Sequence, residues 1–400
     1  MTAAQRMDFR VAAAFCGVVG LYDALLVIFT MSRGPEIGPV TDVLFPDFLV
    51  FHAATRAFFE GKLALVYDID AFTRFQTEIY PDRLSSMVRF RPFFYPPILV
   101  LMLLPLGTLA VAKAYGIFMG VTAAAATLLE GRRDPWGWLA ILTSPAAVGV
   151  VLAGQNTFLS VALLYGGLRL LDRSPAVAGV LLGSLSYKPQ IWILVPLALV
   201  AARAWRALAW AFGTVAMLAL ASLAVFGLDF WLAFLDASRE ATSARVTGRM
   251  FDQMFMQMTT LLAAARIIGL PPVVASAVQL AGAVLAAAAV WHAFRRHGPS
   301  DARTAVLVTA TFLISPYALN YDLLLLMPAV VALFRQGVLR GFYALERPLY
   351  LALWLIPTLG LVLNRLDVPL MPLIILLFGV VAWARLERAP LRHFTTRYSE

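Results

Sequence analysis

Residues 11–31 read VAAAFCGVVGLYDALLVIFTM, an apolar run interrupted by one acid, Asp23. About 20 such residues carry a helix across the hydrocarbon core of a bilayer. Arg6 and Arg10 precede the run, and no small-residue cleavage site follows it. The stretch therefore reads as a retained first membrane helix with its N-terminus on the cytoplasmic side, not as a removed signal. Asp23 lies inside the run. An ionisable group at that depth faces the protein interior, either as a functional group or as a structural hydrogen-bond partner.

Similar runs recur along the chain. Of its 400 residues, 61% are hydrophobic and 14% charged, against roughly 25% charged in soluble domains. The runs are continuous and do not alternate, which excludes a β-barrel. The expected fold is all-α and polytopic, a single domain over 1–400 with about 10–13 transmembrane helices. The net charge of +9 comes from arginines in short connections, the pattern of positive-inside topology and not of nucleic-acid binding. Cys16 is the single cysteine, so no internal disulfide is possible. No internal repeat or long linker is evident, and no inverted repeat of the kind found in transporters.

Charge counting from both ends fixes the sides. The tail arginines Arg385, Arg388, Arg392 and Arg397 are placed inside. Spans are expected near 206–227, 272–291, 304–316, 317–334, 348–365 and 370–384. Two segments lie outside: a first loop of about 32–92, and about 228–271. Stretches 48–60 and 66–80 of the first loop mix aromatics with charges and read as amphipathic helices on the membrane surface. One conflict arises. The segment 94–129 reads as two helices broken at Leu106-Gly107, which is one crossing too many. Either the first of these only dips into the membrane, or a later short segment does not cross.

With these sides, Asp47, Tyr95-Pro96-Pro97, Gln155-Asn156, Lys188-Pro189-Gln190 and Ser315-Pro316-Tyr317 through Tyr321-Asp322 share one membrane face. Polar residues with Pro and Gly at converging helix ends suggest a site between broken helices. In Phe45-Pro46-Asp47-Phe48-Leu49-Val50-Phe51-His52, an interfacial carboxylate among aromatics can take a proton from a hydroxyl. Asp47 also suits a plain helix N-cap, after Pro and before an apolar run. Asp42 is a second acidic candidate.

Lys188 stands between two apolar segments. It can snorkel to headgroups or hold a phosphate, and Tyr187 and Gln190 add donors. Gly154-Gln155-Asn156-Thr157 opens a span, either as a cap or with its amides facing an anionic or sugar group. Arg91 and Arg89 can pair with phosphate beside Phe90, Phe93, Phe94 and Tyr95, which form an interfacial belt. Asp322 enters an apolar run, where an unpaired charge is costly, and so requires a basic partner. No phosphate-loop, HExxH, CxxC or Ser/His/Asp pattern is present. The four scattered histidines offer no metal site, which leaves a divalent cation on Asp42 and Asp47 as the one metal alternative.

Asp47 through Ala54, Tyr67-Asp68, Phe94-Tyr95-Pro96-Pro97 with Leu104-Pro105-Leu106, Gly154-Gln155-Asn156, Gly179-Val180-Leu181-Leu182-Gly183 with Lys188-Pro189-Gln190, and Ser315-Pro316-Tyr317 to Tyr321-Asp322 resemble, in that order, glycosyltransferase family 87. The resemblance implies the C-type glycosyltransferase fold, a polyprenyl-phosphate sugar as donor, no cofactor, and an active site on the extracytoplasmic face. It implies Asp47 as catalytic base, with Lys188 and Arg91 at the donor phosphate. Asp42, His52, Tyr95, Gln155, Asn156, Gln190, Tyr317, Tyr321 and Asp322 are then expected to line the substrates. Many family sequences carry His where this chain has Tyr317, and Tyr is commoner where it has His52.

The expected function is inverting transfer of a mannose- or arabinose-like sugar to a lipid or glycan acceptor. The expected location is the bacterial inner membrane, with the site on its periplasmic face; the Arg-rich, Lys-poor composition fits a GC-rich bacterial genome. The alternatives are a transporter or flippase of polyprenyl-linked lipids, and a surface-glycan polymerase or ligase. The latter rests on Arg239, Arg245 and Arg249 in the second external segment.

Overall fold

The computed structural model describes residues 3–33, 46–81, 91–130, 135–240, 257–296 and 301–387. Asp42 and Arg89 lie outside the described residues, as does the side chain of Asp23. Among the described residues the structure is helical throughout, with one isolated β-bridge between Met258 and Leu319.

The first span forms α1 (Ala3–Arg33). The two expected surface helices follow as α2 (Pro46–Phe59) and α3 (Ile69–Ile79). Asp68 caps α3 by accepting from the backbone N–H of Ala71 at 2.9 Å. Phe48, Phe51, Phe72 and Phe75 turn inward and are buried, so these helices rest on the bundle instead of floating in solvent.

The segment behind the crossing conflict forms α4 (Pro97–Leu103), its 3-10 continuation Leu104–Thr108, and α5 (Val111–Glu130). The segment 97–108 measures about 20 Å from its helical rises, short of the ~30 Å hydrocarbon core. Both of its ends lie along α2. α4 packs against that helix, and the carbonyl of the next residue, Leu109, is 3.0 Å from His52 Nε2. At Gly107 a Cβ would sit 2.7 Å from Thr55 Oγ1. The segment therefore runs alongside α2 and is too short to cross, whereas α5 is long and apolar enough to do so.

A series of short helices then follows: α6 (Pro135–Leu142), α7 (Pro145–Ala153), α8 (Thr157–Leu170), α9 (Pro175–Ser184), α10 (Pro189–Trp192) and α11 (Val195–Ala201). Most begin on Pro at the first helical turn, where the missing N–H costs nothing. The second half contains α12 (Trp205–Phe226), α13 (Leu228–Glu240), α14 (Leu261–Ile267), α15 (Pro272–Arg295) and α16 (Asp301–Ile314). A 3-10 segment Asn320–Leu326 leads into α17 (Met327–Arg340), and α18 (Glu346–Arg365) and α19 (Met371–Glu387) close the bundle.

Among the described residues, five helices are long and apolar enough to cross a membrane: those at Val111–Leu128, Trp205–Phe226, Pro272–Arg295, Asn320–Arg340 and Glu346–Arg365. The chain is a multi-pass membrane protein. The Asn320–Arg340 segment is 72% buried whereas Trp205–Phe226 is 17% buried, so the former is the axis of the bundle and the latter faces lipid.

Close packing of α9 on α12 sets the height of Lys188. Gly179 and Gly183 stand four apart on one face of α9. A Cβ on either would meet backbone, 2.4 Å from the carbonyl oxygen of Ala207 and of Ala211 respectively. Small residues at this spacing let membrane helices approach backbone to backbone. Gly183→Leu is expected to lower stability by about 1–3 kcal/mol through overpacking. Gly120→Ala, with open space around it, should leave thermal unfolding in detergent unchanged. Equal melting of both variants would contradict the packing assignment.

Candidate active site

The site is assembled where four chain breaks meet. The first is the joint between α7 and α8. Gly154 ends α7 in the left-handed region, at φ +73°, which favours glycine. Its N–H reaches the carbonyl of Val151, and the N–H of Gln155 reaches that of Val150. This paired closure is a Schellman motif, and it projects Gln155 and Asn156 from the tip. The second break is Lys188, between the 3-10 turn Leu185–Tyr187 and Pro189. The third is the 3-10 entry to α17, carrying Tyr321 and Asp322. The fourth is the start of α2, carrying Asp47.

Side chains tie these breaks together. Lys188 Nζ donates to Asp322 Oδ1 at 2.6 Å and to Asn156 Oδ1 at 3.1 Å. Thr157 Oγ1 donates to the same Asp322 oxygen at 3.1 Å. Tyr187 holds the tip from behind, its hydroxyl 2.8 Å from Ser160 Oγ and donating to the Asn156 carbonyl at 3.3 Å. Gln155 links this floor to the acid on α2. Its Nε2 donates to Asp47 Oδ2 at 2.7 Å and to the Tyr321 hydroxyl at 2.9 Å, and its Oε1 accepts from Tyr95 at 3.3 Å.

Gln155, Asn156, Lys188, Tyr321 and Asp322 are buried, while Asp47, Arg91, Tyr95 and Tyr317 are half-buried and form the reachable rim. The Asp47 carboxylate accepts from Gln155 across the bundle, and Asp47 lies inside the first turn of α2, which begins at Pro46, and not at an N-cap position. Burial raises the pKa of Asp47, opposed by the Gln155 hydrogen bond and then by the charges of Arg91 and Lys188. Arg91 Nη1 donates to the Pro46 carbonyl at 3.3 Å. Burial lowers its pKa to about 10. Arg91 Nε and Asn156 Nδ2 are buried donors without a hydrogen-bond partner, and such donors are costly unless a ligand completes them.

The expected residues thus largely converge, with two departures. His52 turns away from the site. Its Nδ1 is 2.6 Å from the Tyr80 hydroxyl and its Nε2 faces the Leu109 carbonyl, so it braces α2 against the segments that follow. Gln190 is half-exposed on α10, behind Lys188, and is absent from the cluster's hydrogen bonds. The basic partner required by Asp322 is Lys188, whose ammonium is therefore already engaged and almost fully buried. Thr157, expected only as a cap, belongs to the cluster; its adjacency to Gln155-Asn156 was the available signal. Among the described residues no group of three or more His, Cys, Asp or Glu converges.

Residues 93–316, more than half of the chain, match glycosyltransferase family 87. The chain belongs to this family. As a family 87 glycosyltransferase it moves a sugar from a donor to an acceptor, which sets aside a purely transporting role. The matched region holds Tyr95, Gln155, Asn156, Lys188 and the paired glycines of α9. Asp47, Arg91, Tyr321 and Asp322 lie outside it, so their roles rest on geometry. Comparison with curated proteins and with solved structures gives no match.

Removing one member of a buried ion pair strands the other's charge, a loss of about 3–5 kcal/mol. Lys188→Met should be destabilising on that scale, whereas Lys188→Met combined with Asp322→Leu should recover most of the loss. Thermal unfolding of the four proteins of this cycle gives the coupling. Additive losses would show that the two residues act independently.

Proposed function

We propose that this glycosyltransferase is an inverting, polyprenyl-phosphate-dependent enzyme of the bacterial inner membrane, acting on the extracytoplasmic side with Asp47 as base. The observation that carries the reading is that, among the described residues, Asp47 is the carboxylate of the cluster that stands on the reachable rim and forms no ion pair, with the Arg91 charge nearby. Asp322 is neutralised by Lys188 at 2.6 Å, and Asp47 is bonded to a neutral amide. A single free carboxylate suits direct displacement better than the paired acids of glycoside hydrolysis.

In this reaction an acceptor hydroxyl lies within hydrogen-bond reach of Asp47. As its oxygen forms the bond to the anomeric carbon, the proton passes to Asp47. The bond from that carbon to the donor phosphate oxygen breaks, and the lipid phosphate leaves with one more negative charge. Phosphate leaves readily and needs no general acid. Arg91, with Nε free and its charge beside Asp47, is the donor best placed to meet that developing charge. Asn156 Nδ2 is the second. Lys188 can reach phosphate only by exchanging Asp322 or Asn156, so we assign it first to holding the site together and through Asn156 to aiming that amide. Tyr95 and Tyr317 offer ring faces and hydroxyls to sugar. The acceptor is a lipid or glycan, and a mannose- or arabinose-like sugar fits the family resemblance.

The test is transfer by the purified enzyme from a panel of polyprenyl-phosphate sugars to membrane lipids, read by mass spectrometry. Asp47→Asn should lower turnover by about 10²–10⁴-fold, the worth of a positioned base, with donor binding kept. Wild-type turnover in this variant would reject the base. Because Asp47 works ionised and its carboxyl is pushed up by burial, activity should fall with decreasing pH at a higher pH than an ordinary carboxylate of about 3.9 would give. Arg91→Gln should raise KM for donor or lower turnover; unchanged kinetics would remove it from the phosphate site.

A further inference from the structure

A second polar region lies at the opposite ends of the helices that build the site. α8 leads from Asn156 to Leu171, α9 and α11 run between it and Lys188, and α16 runs from it toward Ser315. Fourteen residues of α8 or α16 separate the two regions by about 20 Å. There a cleft of about 830 Å³ is lined by Arg203, Arg206, Arg295, Arg296 and Arg303, with Asp172 as its one carboxylate and Trp205 at its edge.

Two of these arginines are committed within the protein. Arg296 pairs with Glu387 at 2.6 Å. Arg303 is buried, donates to the Arg296 carbonyl at 3.2 Å and stacks over Phe294. Arg203, Arg206 and Arg295 are exposed, the Arg295 guanidinium lying 5.9 Å from the Trp291 ring on its own helix. Arg203 sits at the end of α11 with φ +56°, a left-handed position where glycine is the usual residue. Its N–H and that of Ala204 close the helix onto Val200 and Leu199. A strained arginine where glycine would be easier points to a use for its side chain.

The cleft lies beside exposed apolar helices. α11 is packed against both α12 and α15, and these two helices are mostly exposed along their lengths. They present an apolar surface on either side of α11, with Met217, Leu220, Leu280 and Val284 exposed. Trp205, Trp210 and Trp291 are exposed near its basic end, as interfacial anchors are. An occupant that suits both needs a phosphate for the arginines and acyl chains for this apolar surface.

We propose that this cleft is a binding site for an anionic phospholipid, its headgroup phosphate held by Arg203, Arg206 and Arg295 and its chains lying between α12 and α15. The site is separate from the Asp47 cluster and does not rest on the reading of that cluster. It would fasten the short helices α9 and α11, and with them Lys188, from below.

The test uses the full chain in nanodiscs of phosphatidylcholine with or without phosphatidylglycerol, with bound lipid counted by native mass spectrometry and stability by thermal unfolding. Phosphatidylglycerol should be retained and should raise the unfolding temperature, while glycerol phosphate and inorganic phosphate should do neither. The variant Arg203→Gly with Arg206→Gln should weaken retention roughly thirtyfold, from the worth of one basic residue near an anionic surface taken twice. Arg203→Gly removes the strained backbone, so this half of the variant leaves folding intact. Arg340→Gln, at the same end of the bundle but away from the cleft, should retain the lipid. Equal loss in that control would reduce the effect to surface potential, and stabilisation by free phosphate would make the cleft a soluble-anion site. Either result overturns the proposal.

Discussion

The contact between Lys188 and Asp322 is the one on which the rest of the site depends. It joins residues 134 apart in the chain and ties the broken helix after α9 to the entry of the central α17. Two opposite charges in a dry interior gain strongly from each other but lose their hydration, so the net contribution to stability is small. What the pair supplies is position. With Asn156 and Thr157 bonded to the same two charges, the α7–α8 tip can take one place. Gln155 on that tip then fixes Asp47.

Broken helices are costly inside a membrane because each break exposes backbone polar groups that lipid cannot satisfy. Here the cost is offset locally. The Gly154 closure satisfies the end of α7, Pro189 removes one N–H at the Lys188 break, and the N–H of Leu319 is directed at Asp322 Oδ2, 3.4 Å away. The same breaks leave side chains at their tips, facing one another. The chemistry and the interruption of the helices thus have a common origin. Backbone that cannot stay helical at this depth must line a polar site.

Much of this was legible in the sequence. Asp322 at the mouth of an apolar run demanded a cation, while Lys188 between two apolar segments was left open between snorkelling to headgroups and holding a phosphate. Charge counting placed both on one face without naming them as partners. The helices Trp205–Phe226, Pro272–Arg295 and Glu346–Arg365 match the spans expected from apolar length and flanking arginines, whereas the one expected at 317–334 enters by a 3-10 turn at Asn320 and runs on to Arg340. What was not legible depended on tertiary contact. Nothing local marks 97–108 as a segment that packs along α2, since its composition equals that of a span. His52 looked like a site residue because it follows Asp47 so closely. Five residues further along a helix it points elsewhere, and Tyr80 and Leu109 hold it there. Thr157 was hidden by the capping role that its position suggests equally well.

A carboxylate on the rim, a neutralised acid beneath it and an arginine with an unused donor together suit the proposed one-step displacement. No second free carboxylate in the described cluster is placed to form a covalent sugar intermediate. That chemistry has a stereochemical signature at the anomeric carbon, and it depends on no assumption about the acceptor. The most direct measurement is the anomeric configuration of the first-formed product, by nuclear magnetic resonance, from a polyprenyl-phosphate sugar of known configuration. Inversion is the predicted result; a product that retains the donor's configuration would contradict the account.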